Sequence, residues 1–412
     1  MGTQPVDEAI ETVFRIESPR IIAATTRIVR DIGLAEELAQ DALVAALEQW
    51  PHTGIPDRPG AWLIATARHR AVDLVRREQT YNRKLAELGR DLGDVPAPDL
   101  PPDPDDIDDD LLRLIFVACH PVLSTPARIA LTLRLLGGLT TAEIARAVLA
   151  PESTVAQRIV RAKRTLAAKQ VPFEVPVGAD RAGRLASVLE VVYLMFNEGY
   201  SATAGDDLLR PALCDEALRL ARVLAALMPD EPEVHGLLAL LSLQASRTAT
   251  RVAADGSPVL LADQDRARWN RLLIRLGLES LLRAGTGPYS LQAAIAACHA
   301  RAARYEDTDW AAIAALYGHL YTVTPSPVVE LNRAVAVAKA QGPQAALVIV
   351  DSLTENPALR GYHLLPSVRG DLLEQLGRRD DARSEFTRAA GLTSNQRERE
   401  LLLRRADAVN PG

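Results

Sequence analysis

Apolar residues recur along this chain at spacings of three and four, which predicts helices throughout. Across residues 35–50, Leu38, Ala42, Ala45 and Ala46 share one side, with Leu43 and Leu47 alongside, the stripe of an amphipathic helix. Residues 51–59 carry three prolines and a glycine and predict a break. The helical period resumes over 61–78, with Ile64, Ala67, Ala71 and Leu74 on one face. Arg68, Arg70, Arg76 and Arg77 belong to the same helix, with Asp73 the acid among them.

The sharpest local pattern lies further on. In Gly137-Gly138-Leu139-Thr140-Thr141-Ala142-Glu143, the glycines predict a helix end, and Thr140 with Glu143 has capping-box spacing. A short helix over 141–149 is followed by Ala150-Pro151-Glu152 and a new helix from Ser153 or Thr154. There Val155, Ile159, Ala162 and Leu166 form a packing face, so Gln157, Arg158, Arg161 and Arg164 project elsewhere. No acid occurs from 153 to 169. A short helix, a tight turn and a basic second helix are what a helix-turn-helix uses in the major groove. Helix pairs of this kind also occur in proteins that bind no DNA, so charge is the next criterion.

The net charge of −6 over 412 residues argues against a polyanion as partner, but it is unevenly distributed. Residues 87–110 hold ten acids, one base (Arg90) and five prolines, which predicts an extended linker. Residues 113–170 reverse the sign, with nine Arg or Lys against Glu143 and Glu152. A basic module beside an acidic tether is the footprint of DNA binding.

From about residue 180 a helical-hairpin pattern repeats. Gly370, Leu373, Ala382, Phe386 and Ala389 fall at positions 8, 11, 20, 24 and 27 of a 34-residue tetratricopeptide unit. Ala334, Val337 and Ala346 occupy positions 8, 11 and 20 of the unit before it. Ala217, Ala221, Leu224 and Pro229 match positions 20, 24, 27 and 32 of an earlier one. Residues 247–268 interrupt the repeats with a loop-like stretch. The expected class is all-α: a helical bundle over 1–80, a linker over 81–110, a helix-turn-helix bundle over 111–175 and tetratricopeptide-like repeats over 176–412.

Composition excludes several classes. No apolar stretch is long enough to span a bilayer, and residues 1–17 lack the pattern of a leader, so a cytoplasmic protein with no membrane partner is expected. Cys119, Cys214 and Cys298 are odd in number and far apart, which gives neither a disulfide framework nor a zinc site. His235, His299, His319 and His363 show no metal-ligand spacing, and no P-loop, HExxH, GxSxG or CxxC pattern occurs. Cys119-His120-Pro121 reads as a core cysteine beside a turn. No enzyme, cofactor or metal is expected.

Taken in order, the segments resemble bacterial RNA polymerase sigma factors of the sigma-70 family, extracytoplasmic-function group. Ala35-Glu36-Glu37-Leu38-Ala39-Gln40-Asp41-Ala42-Leu43 is similar to the part of region 2 that docks on the polymerase β′ clamp helices. Leu43 stands where many relatives have Phe. Pro59-Gly60-Ala61-Trp62-Leu63-Ile64 and the run on to Arg77 resembles the helix that reads and opens the −10 element. Residues 139–166 are similar to the region 4 helix-turn-helix of the −35 element. Ala118-Cys119-His120-Pro121, the run Tyr193-Leu194-Met195-Phe196-Asn197-Glu198-Gly199-Tyr200 and Thr324-Pro325-Ser326-Pro327 resemble a subgroup with a fused tetratricopeptide-like domain.

The resemblance implies core RNA polymerase as partner, through the β′ clamp helices and the β flap, together with promoter DNA. Glu37, Gln40, Asp41 and Leu43 are the polymerase candidates. Trp62, Arg68, Arg70, Arg76 and Arg77 are the −10 candidates, with basic residues on the strand backbone and Trp62 as a stacking surface. Ser153, Thr154, Gln157, Arg158, Arg161 and Arg164 are the −35 candidates, because Arg suits guanine or phosphate and Gln suits adenine. It also implies that the acidic linker threads the RNA exit path, its carboxylates standing in for RNA phosphates. The repeats suit a regulatory protein partner. The alternative is a one-component helix-turn-helix regulator with a repeat sensor, which has no need of the docking and melting segments.

Overall fold

The computed structural model describes residues 4–87, 104–148, 150–200, 209–253 and 257–409. Its α-helices are α1 (Gln4–Val29), α2 (Ile32–Thr53), α3 (Pro59–Glu87), α4 (Pro104–Ala118), α5 (Thr125–Leu135), α6 (Thr141–Ala147), α7 (Glu152–Ala168), α8 (Ala179–Tyr200) and α9 (Pro211–Leu227). The series continues with α10 (Pro232–Ala245), α11 (Arg271–Leu281), α12 (Pro288–Arg301), α13 (Trp310–Val323) and α14 (Pro327–Gln341). It closes with α15 (Pro343–Leu353), α16 (Leu364–Gln375), α17 (Arg379–Leu392) and α18 (Gln396–Val409). The fold is all-α. Among the described residues β-pairing is limited to one isolated bridge between Val252 and Pro258.

The chain divides into two compact units, Met1–Val191 and Val192–Gly412. In the first, α1, α2 and α3 pack mutually around Ile21, Ile22, Ala35, Ala39, Ala42, Trp50, Leu63 and Ala67. Alanines at the α2 crossing let the helix axes approach closely. Pro51, expected to break α2, lies inside its last turn, and Gly54 ends the helix at φ 81° with its N–H on the Trp50 carbonyl at 2.9 Å. A proline that close to a helix end removes little of the ladder.

A second small core holds α4 to α7, built on Leu114, Phe116, Leu131, Leu135, Ile144 and Ile159. The expected extended linker covers 88–103, which lies outside the described residues, but its last part is helical, since α4 starts at Pro104. Acids in a first helical turn are favoured by the helix dipole. In the next turn cations meet the acids: Arg113 bonds Asp110 at 2.5 Å, Arg27 lies 3.7 Å from Asp110, and Arg20 lies 3.6 Å from Asp108.

The second unit is a succession of helices, each packed on its neighbours from α9 to α18. Gly370, Leu373, Ala382, Phe386 and Ala389 are all buried, as are Ala334, Val337 and Ala346, so the small positions of the repeat do form helix contacts. Gly370 is required where it stands: a Cβ there would lie 2.9 Å from the Phe386 ring. Of the earlier set, Ala217, Ala221 and Leu224 are buried and Pro229 is exposed.

Candidate nucleic-acid interface

The helix-turn-helix is built as its sequence dictates. Gly138 takes φ 62° after α5, which lets the chain reverse into Thr140. The Thr140 hydroxyl accepts from the Glu143 N–H at 3.2 Å, and the Thr140 N–H donates to Glu143 Oε2 at 2.8 Å, a complete capping box. Thr140 together with nearby Arg15 and Arg146 holds the Glu143 carboxyl below its ordinary range.

On α7 the buried residues are Val155, Ile159, Ala162 and Leu166, the predicted packing face. Ser153, Gln157, Arg161 and Arg164 are exposed, and Thr154 and Arg158 are half-buried. None of these three arginines is within ion-pair distance of a carboxylate among the described residues. One local expectation is corrected: α7 starts at Glu152 with Pro151 before it, and the Thr154 N–H is already spent on the Pro151 carbonyl at 2.9 Å. The helix start therefore carries an acid, and one of its N–H groups is already satisfied within the chain.

On α3, Trp62 is half-buried and meets buried Trp50 edge to face, with centroids 5.3 Å apart at 67°. The ring is a wall of the bundle on that side, which leaves only its far side to a base. Arg76 and Arg77 are exposed, and Arg68 and Arg70 are half-buried. On α2, Glu37, Gln40 and Asp41 are exposed and Leu43 half-buried, so the docking candidates share an accessible strip. Asp41 lies 3.7 Å from Arg70, which joins the two sets of candidates.

Glu36, in the same segment, is not part of the accessible strip. Its side chain is 8% exposed. Arg134 of α5 donates to it through Nε at 2.5 Å, and Lys163 of α7 bonds its other oxygen. Lys163 is thus tied to the first helical bundle. Arg15 to Glu143 at 3.3 Å is a second bridge from α1 to α6. The periodicity held the signal: position 36 lies four after buried Ile32 and three before buried Ala39, on the apolar face of α2. A cleft of about 900 Å³ adjoins the bridge, lined in part by Arg27, Arg30, Arg113 and Lys163.

Cys119 and His120 do not form a reactive pair. The Cys119 sulfur sits 3.4 Å from Thr132 Oγ1, and burial pushes its thiol up to about 11. His120 Nδ1 accepts from the Val122 N–H at 3.0 Å, and desolvation together with Arg184 pulls the imidazole down to about 4. Among the described residues no group of three or more His, Cys, Asp or Glu is arranged to hold a metal ion. No helix there is long and apolar enough to cross a membrane.

A bundle with an acidic strip and an arginine-bearing helix, joined to a capped helix-turn-helix with an unpaired basic face, defines a promoter-binding protein of the sigma type. Residues 13–81 match sigma-70 region 2 and residues 113–166 match sigma-70 region 4. Residues 184–285 match a family of unknown function, DUF6596. The chain is 33% identical over 151 residues to the ECF RNA polymerase sigma factor SigK of Mycobacterium tuberculosis (strain H37Rv), covering 36% of this chain and 78% of that one. The SigK of Mycobacterium ulcerans is 32% identical over the same length. An uncharacterised protein of Rhizobium meliloti is 48% identical over 393 residues, 92% of this chain and 91% of its own. No solved structure matches. The chain belongs to the ECF sigma factors of the sigma-70 family, which direct RNA polymerase to promoters, and it carries a C-terminal extension.

Proposed function

We propose that residues 1–80 dock on core polymerase and read the −10 element, that 111–175 read the −35 element, and that the repeats from 176 onward modulate this activity through a protein partner. Glu37, Gln40, Asp41 and Leu43 supply the contact to the β′ clamp helices. The helix-turn-helix module approaches the β flap. Arg68, Arg70, Arg76 and Arg77 follow the opened strand near −10, with the free side of Trp62 beside them. Arg158 and Arg161 meet base edges or phosphates at −35, Gln157 meets adenine, and Ser153, Thr154 and Arg164 flank them. The acidic linker passes along the RNA exit path. The protein works in the cytoplasm, without cofactor or metal and without catalysis of its own.

The observation that carries this reading is the face of α7, where three arginines stand without carboxylate partners on a helix whose other side is buried. Unpaired cations on a rigid helix release counterions from DNA when they bind. The test is start-site-specific transcription from the promoter upstream of its own gene, with purified core polymerase and the full chain. Transcript that requires the protein, and falls with both Asp41→Lys and Arg158→Ala/Arg161→Ala, supports the assignment. Duplex binding by the protein alone, with no association with core polymerase, would favour the one-component regulator.

A further inference from the structure

The outward side of α7 is not uniformly polar. At about 100° per residue, the buried stripe of Val155, Ile159, Ala162 and Leu166 fixes the opposite side of the helix, where Ser153, Gln157, Val160, Arg161, Arg164 and Ala168 all stand exposed. Val160 is 45% exposed. It sits three residues after Gln157 and four before Arg164, the spacings at which side chains are neighbours on a helix surface. Ala156, half-buried, lies one turn before it on the same edge, whereas Arg158 and Arg161 occupy the other edge. The face therefore has a cationic edge and an apolar edge, with Gln157 between them.

Local stability does not account for a valine there. The side chain lies outside the packing stripe, and a β-branched residue is a poorer helix former than the Gln and Arg beside it. Single exposed apolar residues are common on protein surfaces, so position and not exposure carries the argument. In the major groove the apolar group that a base pair presents is the C5-methyl of thymine, and small aliphatic side chains are what meet it. Each A·T pair shows that methyl beside the N6 and N7 edge of its adenine. A stretch of groove in which Gln157 meets adenine thus also presents thymine methyls to the side chain one turn further on.

We infer that Val160 is a specificity-determining residue of the −35 contact and packs on the C5-methyl of a thymine, with Ala156 beside it. The inference rests on the assignment of α7 to the −35 element and adds a base preference that hydrogen bonding does not supply. Arginine and glutamine read donors and acceptors, and a methyl group is neither. Removing one such methyl contact weakens binding by about three- to fivefold, the transfer value of a single buried carbon.

Deoxyuridine lacks the methyl and keeps every hydrogen-bonding group of thymine, so it isolates the contact. Holoenzyme assembled from core polymerase and the full chain is titrated on the promoter upstream of its own gene, with thymidines of the −35 element on either strand replaced one at a time. One replacement should weaken the native holoenzyme about three- to fivefold and change Val160→Ala holoenzyme by less than about 1.5-fold, because both remove the same interaction. On the unmodified promoter Val160→Ala should show the loss that this replacement causes in the native protein, while the melting temperature of the free chain stays close to native. A scan in which no replacement is felt by the native holoenzyme, or in which native and Val160→Ala respond equally, overturns the proposal. If Arg158→Ala/Arg161→Ala still weakens binding in that case, the −35 assignment stands and the methyl contact alone is lost. Binding indifferent to the arginine pair removes both.

Discussion

The bridge from Glu36 to Arg134 and Lys163 sets a limit on what the first unit can do while it is closed. A compact unit of about 190 residues has a radius of gyration of about 16 Å, hence a diameter of about 42 Å. The −10 and −35 elements are separated by about 25 base pairs, or about 85 Å at 3.4 Å per pair. On the proposed assignment of one module to each element, modules held together by a 2.5 Å hydrogen bond cannot occupy both. Glu36→Gln keeps the shape and removes the charge. Breaking a buried ion pair costs about 3–5 kcal/mol, and an exposed one at most about 1. Glu36 is 8% exposed, but Arg134 and Lys163 are 26% and 23% exposed and regain water once released. An intermediate loss of about 2–3 kcal/mol follows, which at about 1.4 kcal/mol per decade shifts closed toward open by about 30- to 150-fold.

The assay is a distance distribution between spin labels at two exposed positions, Glu78 on α3 and Lys169 after α7, with Cys298 replaced by serine. The native chain should give one short distance. Glu36→Gln should add a long component, and association with core polymerase should become faster because less binding energy goes into opening. Lys163→Gln should do the same more weakly, and the double variant should cost less than the sum of the two, since both remove one interaction. An unchanged distribution with unchanged association rate would refute the reasoning, even if stability fell, because the bridge would then be adhesive without gating.

Three further outcomes follow from single contacts. Arg158→Ala/Arg161→Ala should weaken holoenzyme binding to promoter DNA and reduce the log–log salt slope by about 1–2, measured by filter binding between 50 and 200 mM salt. Thr140→Ala removes the N-cap of α6 and should cost about 1 kcal/mol in denaturant unfolding. Because Glu143 is depressed in the fold, its contribution is present above the unfolded carboxyl value and is lost as pH falls through the folded one; the native-minus-variant difference should shrink below about pH 4. Gly370→Ala places a methyl against the Phe386 ring and should destabilise by about 1–3 kcal/mol, read as a fall in melting temperature with the helix content kept.

The helices of the first unit were legible because their apolar period is regular and their caps use ordinary chemistry. Val155, Ile159, Ala162 and Leu166 needed no tertiary information, and Thr140 with Glu143 is a local contact three residues long. What stayed hidden depends on distance in space. Glu36 reads as one of three acids on a docking helix, and only the fold shows that Arg134 and Lys163, 98 and 127 residues away, reach it. Trp62 carries the same ambiguity: stacking surface and core residue have one sequence signature, and its edge contact with Trp50 decides which side is covered. Position 36 was nonetheless recoverable from the helical period, because a residue in register with Ile32 and Ala39 is buried whatever its charge.

The net charge of −6 sums over arginines in different settings. In the first unit Arg76, Arg77, Arg161 and Arg164 stand exposed. Outward charges cost little to leave unpaired and suit a long polyanion that arrives from solvent. In the second unit Arg247 and Arg251 turn inward onto Tyr200, and Arg266 sits over Trp269 at 5.0 Å while holding the carbonyls of His299 and Ala302 at 2.7 and 2.9 Å. Arg266 is explained by its hydrogen bonds, which close the end of α12. Arg251 also donates to the Tyr200 carbonyl at the end of α8, and Arg247 to Gln244 Oε1 at 2.7 Å. The inward arginines are met by rings and carbonyls, so what separates the two sets is whether the cation is already engaged within the fold or left to solvent.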